Sequence, residues 1–425
     1  QEGVQYRAGE IAIDGLQKTK EHIVRRELQI KEGDILEGKK IRESESRLRK
    51  LGIFSSVAIQ HRTDPEREGV KQLRVLIQEG TPGVYAVGLG VRNDLGGRAF
   101  GEVAYTNLWS RNHTISLTAI GNRRIEGYRK TVGPEYEIKS GYVWPWFLVD
   151  EMNLRQELAA ERQQYIQFAA DTVSFRPTLE KRLFKHFNLI GALTYSLERT
   201  KQFDAVDTLD NQTLRIGALI PSLRLDLRDN PLAPTSGFYS SVSYEHAASP
   251  FFSQEKPFPV EYARVQFRSD YFVPVSQRGI VWFLSFRTGI ERNLAQPAMI
   301  DGAPDPRVGI PLVKQFALGG VSSLRGYKVQ ELNVYSDKVI QGSLSYVNYR
   351  TQVDFPLAGA MKVGPFLDAA NLLVDRYSLG MLRYGVGFGL HYLTPVGPVN
   401  FDWGFKIEPR PDEDPYQFHF SIGVL

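Results

Sequence analysis

Leu382-Arg383-Tyr384-Gly385-Val386-Gly387-Phe388-Gly389-Leu390-His391-Tyr392 is the stretch that decides how this chain folds. Every second residue is large and apolar or aromatic, and the residues between them are Arg383, three glycines and His391. Side chains on a strand point alternately to its two faces, so one face here is oily and the other small or polar. The three glycines are no dinucleotide fingerprint, because they lie inside an alternating strand and not at a strand-to-helix turn. Residues 399–407 repeat the pattern, with Val399, Phe401, Trp403, Phe405 and Ile407 on one face and Asn400, Asp402 and Lys406 on the other. Apolar outside and polar inside is the pattern of a barrel wall between lipid and an aqueous lumen.

Working outward, sixteen strand candidates follow one another near 84–92, 98–107, 112–123, 133–143, 151–162, 168–182, 187–200, 212–228, 237–246, 260–273, 280–291, 337–355, 361–370, 380–393, 398–407 and 416–425. An even number suits a single-chain bacterial barrel, and a soluble sandwich rarely runs to sixteen strands in succession. No stretch reaches ~18 consecutive apolar residues, the length a spanning helix needs. The most apolar run, 142–149, is broken by Pro145, so membrane insertion has to use strands in a closed barrel, where every backbone group finds a partner. The expected fold is an all-β transmembrane barrel of sixteen antiparallel strands, preceded by a small α+β domain.

That small domain occupies residues 1–82 and the barrel 83–425, with Thr81-Pro82-Gly83 as the breaker between them. Residues 6–80 read strand, helix, helix, strand, strand. Glu10 to Ile13 alternates and stops at Asp14-Gly15. Thr19 is the expected cap of a helix carrying Ile23, Val24 and Leu28. Ile41, Leu48 and Leu51 mark one face of a second helix closed by Gly52. Residues 57–59 and 73–77 supply two strands joined by the turn 64–69. The second of the three strands, 55–62, is an expected edge, with Ser56, Val57 and Ile59 in position to receive an extended peptide. A spacer role is the alternative.

A formal net charge of +4, spread evenly over 425 residues, gives no basis for nucleic-acid binding, and Cys is absent. The chain starts at Gln1 with no signal-type apolar region, as a processed or truncated product would. Catalytic motifs are missing: there is no Gly-x-Ser-x-Gly, no His-Glu-x-x-His and no P-loop, so no enzyme is expected. Seven scattered histidines lack ligand spacing, so neither metal nor other cofactor is expected.

Several motifs fall in a fixed order. Phe316 to Tyr327 lies in the long connection and ends in Arg325-Gly326-Tyr327. Leu225-Asp226-Leu227-Arg228-Asp229 precedes Pro234-Thr235-Ser236-Gly237. Phe366-Leu367-Asp368-Ala369-Ala370-Asn371 resembles a Phe-x-Asp-x-Gly strand, and Thr394-Pro395-Val396-Gly397-Pro398 a penultimate turn. With the N-terminal domain, which resembles a POTRA domain, they make the chain similar to the BamA/TamA superfamily of outer-membrane assembly and translocation factors. Two positions depart from that pattern: Gln352 stands four residues before Pro356 where an acid is common, and Ala370 stands for the motif glycine.

The resemblance implies a bacterial outer-membrane location with the POTRA domain in the periplasm. Connections after odd barrel strands then lie outside the cell. These include the longest, 292–336, which folds back into the lumen with Arg325 against the inward Asp368 and with Asp402 nearby. A solvated Arg325 and a water-facing Asp368 are the alternative. The C-terminus resembles a β-signal ending in Leu425, with Phe418 and Phe420 outward and Gly423 inward. Across from it the first strand carries inward Gly88 and Gly90, and the resemblance implies a weakly zipped seam between first and last strands. An aromatic closing strand with tolerated lumenal glycines is the other reading.

The expected function is an insertase that receives unfolded barrel clients through the POTRA domain and inserts them at the seam. A secretion pore of the two-partner type, or a membrane anchor or translocator for a fused passenger enzyme, is the alternative. Implied partners are unfolded outer-membrane or secreted proteins, the lipid bilayer and a periplasmic accessory protein.

Overall fold

The computed structural model describes residues 5–423 apart from 65–66, 94–95, 124–132, 166, 185–186, 206–207, 232, 297–298, 301, 333–338 and 395–396. Part of the turn 64–69, Pro395 and Val396 of the expected penultimate turn, the start of the strand expected over 337–355, and Val424 and Leu425 lie outside the described residues.

The N-terminal elements are β1 (Arg7–Asp14), α1 (Glu21–Arg25), α2 (Gly38–Lys50), β2 (Phe54–Thr63) and β3 (Val70–Glu79). The sheet order is β1-β3-β2, with β1 parallel and β2 antiparallel to the central strand. Ile11, Ile23, Val24, Leu48, Val57, Leu73 and Val75 form its core. At five residues α1 is too short to hold itself together, and burial of Ile23 and Val24 keeps it in place. Thr19 does not cap it. The cap position is Lys20, with no side-chain hydrogen bond. The Thr19 N–H donates instead to Glu79 Oε1 at 2.7 Å, because that carboxylate gathers the N–H groups of Gln17, Lys18 and Thr19.

The barrel strands are β4 (Gly83–Arg92), β5 (Gly96–Leu108), β6 (His113–Arg123), β7 (Glu135–Pro145), β8 (Met152–Gln164), β9 (Ala169–Phe184), β10 (Leu189–Phe203), β11 (Thr213–Asp226), β12 (Gly237–Ala247), β13 (Tyr262–Pro274) and β14 (Val281–Asn293), followed by β17 (Ser343–Pro356), β18 (Met361–Val374), β19 (Arg383–Thr394), β20 (Gly397–Ile407) and β21 (Tyr416–Gly423). Between β14 and β17, β15 (Met299–Ile300) and β16 (Ala303–Pro304) form a separate small hairpin. The sixteen longer strands close into one barrel, with β21 returning to β4.

Alternation sorts the side chains as the sequence anticipates. On β19, Tyr384, Val386, Phe388 and Tyr392 are exposed on the outer face while Gly385 and Gly389 are buried. Phe388 pairs with Trp403 and Trp403 with Phe418, giving a row of outer rings with centroids 5.2 and 4.8 Å apart. Such cross-strand aromatic pairs favour one register, since a one-residue slip would turn every ring inward. The expected segment 337–355 forms strand only from Ser343, so the long connection runs from 294 to 342.

Candidate functional site

The connection 294–342 is not a solvated loop. Ile310, Phe316, Leu318, Leu324 and Tyr327 pack with Leu344, Tyr346, Ala370 and Leu372 of β17 and β18. Gly319 and Gly320 take positive φ, +126° and +81°, and turn the chain at Val321 to Ser323. The carbonyl oxygens of that turn are held by wall residues. Arg350 donates to Val321 O at 3.0 Å and to Ser322 O at 3.1 Å, Arg287 donates to Ser322 O at 2.9 Å, and Asn348 donates to Ser323 O at 2.8 Å. Three consecutive backbone acceptors are thereby satisfied.

Arg325 comes two residues after Ser323 and is 2% exposed. Its Nε and Nη2 each lie 2.8 Å from an oxygen of Asp368, and its backbone N–H donates to the same carboxylate at 3.1 Å. Nη1 donates to Gln352 Oε1 at 2.5 Å and Asp402 Oδ1 at 3.3 Å. The guanidinium lies 3.5 Å from the Phe366 ring centroid. This planar fork fits two carboxylate oxygens at once, which a lysine ammonium would not do. Gln352, which the sequence marks as a lost acid, is here a direct neutral partner. Asp402 also lies 3.3 Å from His391 Nε2, and Asp368 lies 3.5 Å from Arg350 Nε.

The backbone of Arg325 and Gly326 lies flat on glycines. A β-carbon at Gly385 would overlap the Arg325 carbonyl oxygen, and one at Gly404 would overlap the Gly326 amide. Gly326 itself has φ +93°. The inward glycines of β19 and β20 are therefore a floor for the loop. Above it the Gly326 N–H donates to His419 Nε2 on β21 at 3.3 Å. Tyr327 is fully buried, its hydroxyl directed to Tyr384 O at 3.3 Å, with Lys406 4.8 Å from its ring centroid.

At the seam, β21 meets β4 in three residue pairs among the described residues: Ser421 with Arg92, Ile422 with Val91, and Gly423 with Gly90. Elsewhere in the wall, the β13–β14 ladder runs unbroken from Tyr262–Asn293 to Pro274–Val281. Asn93 extends the seam by one residue, donating to Phe420 O and accepting the Phe420 N–H at 3.0 Å. Gly88 has no described partner on β21 and lies under the Phe100 ring. Tyr85, Val87 and Leu89 are 78–82% exposed on that stretch of β4. Phe418 and Phe420 pack on Trp403 and Phe401, with centroids 4.8 and 5.1 Å apart.

In the sheet of the N-terminal domain β2 is an edge strand, as is β1, but β2 is not bare. Val57 is a core residue, and its carbonyl accepts from Arg49 Nη2 at 2.9 Å. The Ile59 N–H donates to Glu45 Oε1 at 2.8 Å. Glu45 and Arg49, one turn apart on α2 and 3.3 Å from each other, thus cover the middle of the edge, while Ser56 is exposed.

The family model of the Omp85 superfamily domain matches residues 107–424, and that of the surface antigen variable number repeat, POTRA, matches residues 6–80. The chain belongs to the Omp85 superfamily. Among curated relatives it is 21% identical to the outer membrane protein assembly factor BamA of Nitratidesulfovibrio vulgaris, over 97% of this chain and 50% of that protein. It is also 21% identical to BamA of Neisseria meningitidis, over 98% and 56%. The chain spans about half the length of these relatives. Among solved structures its fold is similar to BamA from Haemophilus ducreyi lacking POTRA domains 1-3, with a TM-score of 0.75 at 15% identity over 98% of this chain and 84% of that one. It is also similar to CdiB from Acinetobacter baumannii, with a TM-score of 0.62 at 14% identity over 98% and 73%. This Omp85 protein resides in the bacterial outer membrane, with its POTRA domain in the periplasm.

Of the residues singled out in the sequence, Arg325, Gly326, Tyr327, Asp368 and Asp402 come together in this Omp85 barrel, and Gly90 meets Gly423. Arg287, Asn348, Arg350 and His419 also hold the loop and were not singled out. Their inward parity was readable, but their target, a turn of backbone carbonyls, leaves no mark in strand periodicity.

Proposed function

We propose that this protein is an outer-membrane protein assembly factor that adds a client strand at the seam between β4 and β21. The observation that carries the reading is the seam itself. Among the described residues β21 meets β4 only at Ser421–Arg92, Ile422–Val91 and Gly423–Gly90, and a ladder of that kind, once opened, offers the backbone donors and acceptors of β4 as a template for an incoming strand. Exposed Tyr85, Val87 and Leu89 beside it suit the lipid-facing side chains of a nascent barrel. The relatives named as outer membrane protein assembly factors support this reading.

The mechanism is templating without covalent chemistry. An unfolded outer-membrane or secreted client is received in the periplasm at the POTRA edge β2, once Glu45 and Arg49 give way. Its strand then pairs with β4, exchanging water for the hydrogen bonds the bilayer cannot supply. The Arg325 loop braces the wall from β17 to β21 while the seam opens. Gly423 weakens the packing of the last strand and eases its release.

The test uses cysteines at Gly90 and Gly423, directly paired residues of a Cys-free chain, within disulfide reach across the ladder. In liposomes, folding of an unfolded barrel client should stop on oxidation and return on reduction. Client folding that ignores a confirmed cross-link would refute seam insertion. Continued export of a soluble passenger through the cross-linked barrel would instead support a two-partner secretion pore, the fold relationship seen with CdiB.

A further inference from the structure

The long loop also reaches a different part of the wall, through one cation. Lys314 ends a single helical turn, Leu312–Lys314. Its ammonium lies 2.8 Å from Glu198 Oε2 on β10 and 3.5 Å from Glu245 Oε1 on β12. Neither acid is otherwise idle. Glu198 accepts from Arg176 Nη2 at 3.0 Å and Ser196 Oγ at 2.9 Å, and Glu245 accepts from the Tyr262 hydroxyl at 2.6 Å. Glu291 on β14 is fully buried, both of its oxygens lack a hydrogen-bond partner, and its register position is opposite Arg264. Arg264 is 3.9 Å from Glu245.

Three carboxylates from three strands therefore face a patch where Arg176 and Arg264 come from the wall and Lys314 comes from the loop. Burial works against the charge on Lys314, but Glu245 and Glu198 outweigh it and raise its pKa, so the ammonium stays protonated. Apolar contacts accompany the charge. Leu312 packs with Phe168 and Ala170, Val308 packs with Leu214, Ile216 and Tyr262, and Phe316 lies 4.7 Å from the Tyr346 ring and 4.5 Å from the Arg264 guanidinium. The partners of Arg325 are on β17, β18 and β20, three to six strands round the barrel from β12 and five to eight from β10 in the order of the closed sheet.

We propose that Lys314 is a second anchor of the loop, on a stretch of wall separate from the one Arg325 holds, and that the two anchors together hold the loop closed over the lumen against water and small ions. Without the Lys314 ion pairs, the segment from Val308 to Phe316 is held only by the apolar and ring contacts of Val308, Leu312 and Phe316. It can then swing off β10 and β12 while the Arg-Gly-Tyr turn stays in place. The inference concerns closure of the lumen and does not depend on where a client enters.

The test is single-channel conductance of the full chain in planar bilayers in sodium chloride, with hydrogen exchange of the loop followed in parallel. Lys314→Met keeps the side-chain length and removes the charge. It should raise conductance several-fold and speed exchange of residues 308–316 about tenfold, with residues 321–327 unchanged. Lys314→Arg should restore the closed conductance, which a packing role for the aliphatic stem would not require. If Lys314→Met fails to fold because its carboxylates are left uncompensated, Lys314→Met combined with Glu198→Gln removes one charge of each sign and is read the same way. Wild-type conductance and exchange in a folded, charge-free variant overturn the proposal. Client assembly is not among the readouts, so failure here is distinct from failure of seam insertion.

Discussion

His419 Nε2, on the last barrel strand, accepts the N–H of Gly326 at 3.3 Å, so the lumenal loop grips the same strand that forms the seam. Phe418 and Phe420, on either side of His419, face outward onto Trp403 and Phe401. One strand therefore carries the loop contact on its inner face and the aromatic row on its outer face. Loop occupancy and seam geometry are not independent variables in this barrel.

His419→Phe keeps the ring and removes the acceptor. A hydrogen bond contributes about 1 kcal/mol net, so exchange of the Gly326 amide should rise several-fold, with the barrel folded. An unchanged exchange rate would show that the contact holds nothing.

Among the described residues, Arg325→Ala leaves Asp368 with Arg350 as its remaining ion-pair partner and Asp402 with His391 beside it. Removing one partner of a buried ion pair costs about 3–5 kcal/mol, and here most of it should appear as release of the loop, because sixteen hydrogen-bonded strands remain. Client assembly should be lost while heat-modifiable gel mobility still reports a folded barrel. Full activity in this variant would remove the loop from the mechanism.

Gly385→Ala and Gly404→Ala change no charge, yet each places a methyl group where the Arg325–Gly326 peptide lies. Each should mimic Arg325→Ala in assembly, and protease cleavage within 316–327 should accelerate. If either variant matches wild type in both assays, the glycine floor is not required for loop seating.

Glu45→Ala with Arg49→Ala uncovers Val57 O and Ile59 N on β2. Affinity for an unfolded client peptide, followed by fluorescence anisotropy on the full chain, should increase, with little loss of POTRA stability, because Arg49 is a surface residue. Weaker binding would mean that the two side chains are part of the receptor and not a cover.

Burial pushes the Glu79 carboxyl up, but the N–H groups of Thr19, Lys18 and Gln17 outweigh it and hold its pKa below the ordinary value. A depressed carboxyl stabilises the fold above the unfolded pKa of about 4.3, and that stabilisation is lost as pH falls through the lower folded pKa. Hydrogen exchange of residues 15–20, corrected for intrinsic rates, should show wild type better protected than Glu79→Gln at neutral pH. The difference should close as pH falls below the depressed folded pKa. Equal protection at neutral pH would contradict it.

Much of the candidate site was legible because parity on a strand is a local property. Asp368, Asp402 and the glycines of β19 fall on the inner face by counting in twos. The loop signature Arg325-Gly326-Tyr327 pointed to Asp368 through family resemblance. What parity cannot state is the partner. Gln352 reads as a lost acid until its amide oxygen is seen beside Arg325 Nη1. Thr19 reads as a helix cap until Glu79, sixty residues away, is seen to take its N–H.

By itself the sequence determined sixteen alternating strands, their outward and inward faces, the small α+β domain before them and the place of the long loop. These follow from side-chain period and turn chemistry, which act over a few residues. Only the tertiary structure decided that Gly90 pairs with Gly423 at the seam, that α2 covers the edge of β2, and that Lys314 and Arg325 hold one loop to separate stretches of the wall. Register across the closing strands and contacts between a loop and distant strands depend on how the whole sheet curls shut, and no window of neighbouring residues contains that information.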